Sequence, residues 1–287
     1  MLEIESSEEL LRPLPRIGLR SVLLVLAVVG IYAWGVQGTD ARPSELVRGL
    51  PNIVDFVVRL FPPELELQPV TVDLVRAIGW SATPVTLAMP TIVAAIVETL
   101  QMAIIGTTLS VFLALPFGLL AARNTSPHPA IYQATRLLLN ANRAIPELIF
   151  ALIFVVAVGL GPFSGVLALS VSSIGFMAKM YSEAVESIDP QQLIAVRATG
   201  ATRLQTFVYG VIPQALPLVA SYSLYLFEHN VRAASILGIV GAGGVGFVIS
   251  KYLALFQFRR LMGALILIIV VVTGIDRLSD FLRKKII

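Results

Sequence analysis

Glu228-His229-Asn230-Val231-Arg232, followed closely by Ser235, stands inside an otherwise apolar run at about 211–234. A carboxylate or a guanidinium placed in a membrane helix costs about 2.5–3.5 kcal/mol on insertion scales, so such groups usually have a purpose. Glu228 and Arg232 are four residues apart and would share one face of a helix, where they can neutralise each other. One reading is an internal ion pair that fixes packing. The other is the polar lining of a transport path, in which the Arg232 fork suits an oxyanion and His229 and Asn230 assist. Glu228 would repel such an anion unless Arg232 neutralises it. A second cluster, Asn140-Ala141-Asn142-Arg143-Ala144-Ile145-Pro146-Glu147, repeats the spacing with Arg143 and Glu147. Pro146 frees a backbone carbonyl and kinks a helix. This cluster reads either as a pair snorkelling to an interface or as part of a gate or pathway.

Other chemistries are poorly served. Gly241-Ala242-Gly243-Gly244-Val245-Gly246 matches the dinucleotide pattern G-x-G-x-x-G. No βαβ unit surrounds it, and the pattern carries no meaning without one. Glycines here instead allow close helix approach or a non-helical turn lining a cavity. No phosphate-binding lysine motif occurs, so the chain is not expected to hydrolyse ATP. No serine–histidine or paired-carboxylate arrangement stands out, and no enzymatic activity is expected. The absence of cysteine excludes disulfides and thiolate metal sites. With His128 and His229 as the only histidines, no metal site is expected.

The elements that must hold these clusters are apolar. The 287 residues are 56% hydrophobic and only 14% charged, against roughly 25% charged in soluble domains, and the mean hydropathy is +0.85. That excess calls for lipid. The pI near 9.3 would suit nucleic acid, but the basic residues sit at the ends of apolar runs, as membrane topology requires. The first run, Ser21 to Val36, is read as a retained membrane helix rather than a signal peptide, because no small-residue cleavage site follows it. In the external interval 38–95, Leu46, Val47, Leu50, Ile53, Val54, Val57 and Val58 recur at helical spacing opposite Glu45, Arg48, Asp55 and Arg59. This predicts an amphipathic helix on the membrane surface, or else a small extramembrane subdomain.

Further spans are predicted at 101–122, at 131–160 with Pro146 inside, at about 163–180, at 211–234 and at 259–279, with a re-entrant or interfacial segment at 236–256. Ser170, Ser172, Ser173 and Gly175 make one side of the fourth span small, which suits close packing. The expectation is an all-α integral membrane protein of about six spans. Residues 1–95 form the N-terminal tail, first helix and external segment, and residues 96–287 form the core. Arg12, Arg16, Arg20, Arg123, Lys179, Arg197, Arg203, Arg283, Lys284 and Lys285 then share one side, cytoplasmic by the positive-inside rule, with both termini inside. Arg259, Arg260 and four arginines of the 38–95 interval run against the rule.

Between the fourth and fifth spans lies a polar, basic stretch, Ile194-Ala195-Val196-Arg197-Ala198-Thr199-Gly200-Ala201-Thr202-Arg203, closed by Pro213. A cytoplasmic knob gripped by another protein would look like this. Gly200 would allow a tight turn after a short helix, and Pro213 would set the start of the fifth span. The thirteen residues from Gly200 to Pro213 resemble the signature loop of ABC-importer permeases, with Ile194 standing in the register of that family's glutamate. Arg143-Ala-Ile-Pro-Glu147, Ala195–Ala201, Pro213-Gln-Ala-Leu-Pro217, Phe227–Ala234 and Leu237–Gly246 together resemble the permease of phosphonate-type ABC importers, a branch that includes phosphite and hypophosphite transporters. The resemblance covers about 98–285 and implies a type I importer fold. It implies that Ile194, Ala195, Arg197, Ala198, Thr199, Gly200, Ala201 and Arg203 form a coupling helix. It also implies a second permease copy, two cytoplasmic ATPase subunits that hold ATP and Mg²⁺, and a periplasmic or lipid-anchored binding protein, with no cofactor on this chain. The substrate would be a small phosphorus oxyanion. The alternatives are a type I importer of methionine or glycine betaine, or a stand-alone secondary transporter, which should show inverted repeats.

Overall fold

The computed structural model describes residues 19–39, 42–66, 69–73 and 86–286. The polar start with Arg12 and Arg16, and residues 74–85 of the external interval, lie outside them. The chain divides into two compact units, one ending at Val58 and one beginning at Arg59.

In the first unit, α1 (Leu19–Gly38) is apolar on all sides and buries none of its residues. Its twenty residues rise about 30 Å, enough to cross the hydrocarbon core. Most of α2 (Pro43–Leu60) follows. Leu46, Leu50, Ile53, Val54 and Val57 fall on one side, with Glu45, Arg48 and Asp55 on the other, as the periodicity predicts.

The second unit holds the rest. β1 (Pro69–Asp73) pairs antiparallel with β2 (Thr86–Pro90), Pro69 opposite Pro90. This ribbon is the one departure from an all-helical chain among the described residues. After it come α3 (Thr91–Leu120), α4 (Pro129–Ala144), α5 (Glu147–Val158), α6 (Pro162–Glu186), α7 (Pro190–Ala198), α8 (Arg203–Thr206), α9 (Ile212–Leu237), α10 (Gly244–Ala254) and α11 (Phe258–Ile286). Five helical stretches are long and apolar enough to cross a membrane: α1, α3, α6, residues 203–240 and α11. The pair α4–α5, bent by 84°, makes a sixth, broken span.

That break corrects the continuous helix expected over 131–160. A residue before proline is pushed out of the helical region by the proline ring. Ile145 accordingly adopts φ −92°, ψ 118°, and Pro146 caps α5 with no N–H to give. Composition changes at the same point, since α4 is half polar and α5 wholly apolar apart from Glu147.

α3, α6 and α9 form the centre. Ser110 on α3 lies 2.8 Å from Gly106 O and 2.9 Å from Ser170 O, so one hydroxyl ties α3 to α6. Asn230 is fully buried where the three helices meet. It donates to Thr107 (2.9 Å) and accepts from Ser173 (3.3 Å). Asn142 does the same for α4, accepting from Gly175 N (2.9 Å) and donating to Val171 O (3.1 Å). A Cβ at Gly175 would come within 2.7 Å of Leu139 O, so only glycine permits this approach.

The glycine-rich turn before α10 has positive φ at Gly241, Gly243 and Gly244. Glu98 Oε1 accepts from Gly244 N (3.0 Å) and Thr99 Oγ1 from Val245 N (2.8 Å). Backbone donors that might cradle a phosphate are thus taken by α3, which agrees with setting the dinucleotide reading aside.

Candidate functional site at the broken helix

The α4–α5 break opens a cavity of about 480 Å³ against α6 and α9. Arg143, Pro146 and Glu147 line it from the break, Ser172, Ser173 and Phe176 from α6, and Tyr225 and His229 from α9. His229 Nε2 stands 3.5 Å from Glu147 Oε2. Arg143 has no ion-pair partner among the described residues. The cavity therefore offers an unpaired guanidinium and a histidine–carboxylate pair beside the packed rings of Phe176 and Tyr225, whose centroids are 6.2 Å apart, while the Ser172 and Ser173 hydroxyls on its wall donate to Leu169 O and Asn230 Oδ1. The guanidinium can hold a small oxyanion.

The helical repeat of α9 sorts the other expected residues onto separate faces. Tyr225 and His229, one turn apart, face the cavity. Asn230 faces α3 and α6 and lines no cavity. Glu228 and Arg232 face α11. Arg232 Nη2 lies 3.8 Å from Glu228 and 3.4 Å from Asp276, and Arg283 donates to the other Glu228 oxygen. The pair expected from i,i+4 spacing is present, then, but within a five-residue network, completed by Asp280 on Arg283, that joins α9 to α11. Arg283, which the sequence placed only among the basic residues of the cytoplasmic side, is part of that network. Ser235 bonds Val231 O (3.0 Å) and borders α10 and α11. Arg143 and Glu147 do not pair, because Ile145 and Pro146 between them leave the helix; Glu147 turns to His229 instead. Sequence reasoning assigned Ser172 and Ser173 to packing and left Phe176 and Tyr225 unassigned. The four-residue spacings 172–176 and 225–229 are the signals it could have used.

At one end of the bundle, α6 runs into α7. Asp189 caps α7 by accepting from Gln191 N (2.9 Å), and its own N–H donates to Gln214 on α9. Leu193 packs on Gly210, leaving Ile194, Ala195, Arg197 and Ala198 facing outward. Thr199 ends the helix, and Gly200 turns the chain at φ +82°. Ala201 is half-buried, and Thr202 opens α8 with a capping box to Gln205, so that Arg203 is exposed. A π-turn, Phe207–Val211, leads into α9. It lets Ile212 N bond Phe207 O just before Pro213, which has no N–H to give.

Residues 114–287 match the family described as binding-protein-dependent transport system inner membrane component. The chain belongs to this family. It is 37% identical over 266 residues, 93% of its length and 88% of the relative's, to the phosphite transport system permease protein PtxC of Stutzerimonas stutzeri. It is 44% identical over 190 residues to the phosphate-import permease protein PhnE of Mycolicibacterium smegmatis, covering 66% of this chain and 36% of that longer one. Among solved structures, an inward-facing form of the MetNI methionine ABC transporter superposes with a TM-score of 0.61 at 26% identity, covering 68% of this chain and 95% of that one. The family's members are multi-pass inner-membrane permeases, and the five spans and one broken span here are of that kind. Membership in a binding-protein-dependent family removes the stand-alone secondary transporter as a reading.

Proposed function

We propose that this chain is the permease of an ATP-driven importer of a small phosphorus oxyanion, and that the anion passes the cavity at the α4–α5 break. The observation that carries the substrate class is the unpaired Arg143 guanidinium bordering the cavity beside His229. The names of the phosphite and phosphate permeases above support the same class. Glu147 turns to His229 and leaves the Arg143 guanidinium without an ion-pair partner among the described residues. A fork of N–H donors suits a tetrahedral oxyanion, and the aromatic walls keep the rest of the surface unadhesive.

In this reading α7 is the coupling helix. Ile194, Ala195, Arg197, Ala198, Thr199, Gly200 and Arg203 meet a cytoplasmic ATPase that holds ATP and Mg²⁺, and Ala201 supports the turn. Two permease copies, two ATPase subunits and a substrate-binding protein complete the assembly. α7 faces the cytoplasm, as do both chain termini. The link from α7 to the cavity is α9 itself, which starts at the Gln214–Asp189 bond and carries Tyr225 and His229.

The test is ATPase activity of the reconstituted complex, with binding protein loaded with phosphonate, phosphite, phosphate or methionine. Stimulation by a phosphorus oxyanion is expected. Stimulation by methionine alone would leave the importer and replace the substrate, a reading favoured by the likeness to methionine permeases in structure and, at 26% identity, in sequence.

A further inference from the structure

The cavity is not the only place where the seam between α4 and α6 gathers polar side chains. Arg136, Asn140 and Arg143 are spaced four and three apart on α4 and so share one face. Ser172, Phe176 and Lys179 share a face of α6 in the same way. α4 and α6 run side by side, held in register by Asn142 at Gly175. The two stripes therefore meet along their length. At Arg143, Ser172 and Phe176 they border the large cavity. One helical turn nearer α7, Arg136, Asn140, Lys179 and Ser182 border a second cavity of about 60 Å³.

The charges in this smaller cavity do not cancel. Arg136 is committed: its Nε donates to Ala121 O (3.1 Å), its Nη2 reaches Glu186 (3.1 Å), and its guanidinium covers the Tyr132 ring at 4.7 Å. Glu186 is committed in turn, since it also accepts from Arg123 N (2.8 Å). Lys179, half-buried on α6, has no ion-pair partner among the described residues. Glu183, four residues further along α6, is exposed and makes no ion pair with it. An ammonium withdrawn from water without a counter-ion is costly unless an anion visits it.

We propose that Lys179, Arg136 and Asn140 form a second oxyanion site, the last station before release at the α7 end of the bundle. The inference rests on the importer reading above. Arg143 and Lys179 are then successive cations along one seam. An anion leaving the cavity exchanges the first charge for the second, and neither site need be deep. The ammonium and the Asn140 amide supply donors, while Arg136, already paired, adds positive potential from behind. The ligand is a tetrahedral oxyanion of the size of phosphite or phosphate, whether arriving along the path or already free in the cytoplasm.

The experiment is uptake of radiolabelled phosphite by the complete transporter, with its binding protein, in vesicles whose lumen corresponds to the cytoplasm. Luminal phosphite, inorganic phosphate or methionine is supplied as competitor. Luminal phosphite is expected to inhibit by occupying the Lys179 site. In Lys179→Gln its half-inhibitory concentration is expected to rise about tenfold, the scale of one lost charge-assisted hydrogen bond, with Lys179→Arg restoring it. Asn140→Asp, at an exposed position that tolerates the change, is expected to raise it as well. Equal inhibition by phosphate would mark the site as open to the free cytoplasmic anion, and inhibition by phosphite alone would tie it to the transported substrate. An unchanged half-inhibitory concentration in both Lys179→Gln and Asn140→Asp would overturn the second site while wild-type phosphite uptake left the importer reading intact. Absence of phosphite uptake by the wild-type complex would overturn both.

Discussion

Arg143 on α4 and Asn230 on α9 are both polar groups predicted to lie in membrane helices, and their surroundings assign them different parts. Arg143 has no ion-pair partner and borders the cavity. Arg143→Ala is therefore expected to lower phosphite uptake roughly 10- to 100-fold, the scale of a charge-assisted hydrogen bond, while the variant still assembles with the ATPase. Uptake at the wild-type rate would take Arg143 out of the pathway. Asn230 is buried among Thr107 and Ser173, and its loss is felt as stability. Asn230→Ala is expected to cost about 1 kcal/mol, read as a lower unfolding temperature of the purified protein in detergent, with a smaller effect on uptake. Both residues were legible as polar groups within apolar runs. Which of them meets solvent was not, because that depends on where α3 and α6 lie against α9.

At the scale of elements, the decisive contact is α4 against α6. Proline at 146 ends one helix and starts another, and the Asn142–Gly175 bonds fix the first of them in place. A methyl group at Gly175 meets Leu139 O and Asn142 Oδ1 together, and the backbone carbonyl has little room to yield. Gly175→Ala is expected to push α4 outward, widen both cavities and lower the yield of folded protein. Gly30→Ala in α1, where nothing lies within 4 Å, serves as the control and should be neutral to slightly stabilising. Equal yields for the two variants would show that the seam is not so tight. The periodicity of α2, the small side of α6 and the turn at Gly200 could all be read from the chain, since each is a local matter of spacing or backbone conformation. The 84° bend at Pro146 could not, because a proline within a helical pattern is equally compatible with a shallow kink.

For the whole molecule, two of the arginines that run against the positive-inside rule have a structural explanation at the start of α11. Arg259 pairs with Glu64 at 3.3 Å and Arg260 with Glu66 at 3.5 Å; Glu66 also accepts from Tyr252 at 2.6 Å. Their charge is answered within the protein, so they do not vote on topology as free loop cations do. With those two set aside, and the four arginines of the 38–95 interval still against the rule, the positive-inside bias predicts the α3–α4 turn inside and the α10–α11 turn outside. The native chain has no cysteine, which makes this directly measurable. Pro127→Cys is expected to react with an impermeant maleimide only from the cytoplasmic face, and Leu255→Cys only from the outer face. The reverse pattern would invert the topology and with it the placing of α7. By itself, the sequence determined that this is a helical membrane protein, roughly where its spans run, where the chain turns between α7 and α8, and which family motifs it carries, because hydropathy, proline and glycine act locally along the chain. Only the tertiary structure decided that Arg232 faces Asp276, that Glu147 faces His229, and that Arg143 and Lys179 border cavities along one seam. Each of those pairings is made across helices distant in sequence, and a polar side chain inside a membrane protein takes whichever partner the packing brings to it.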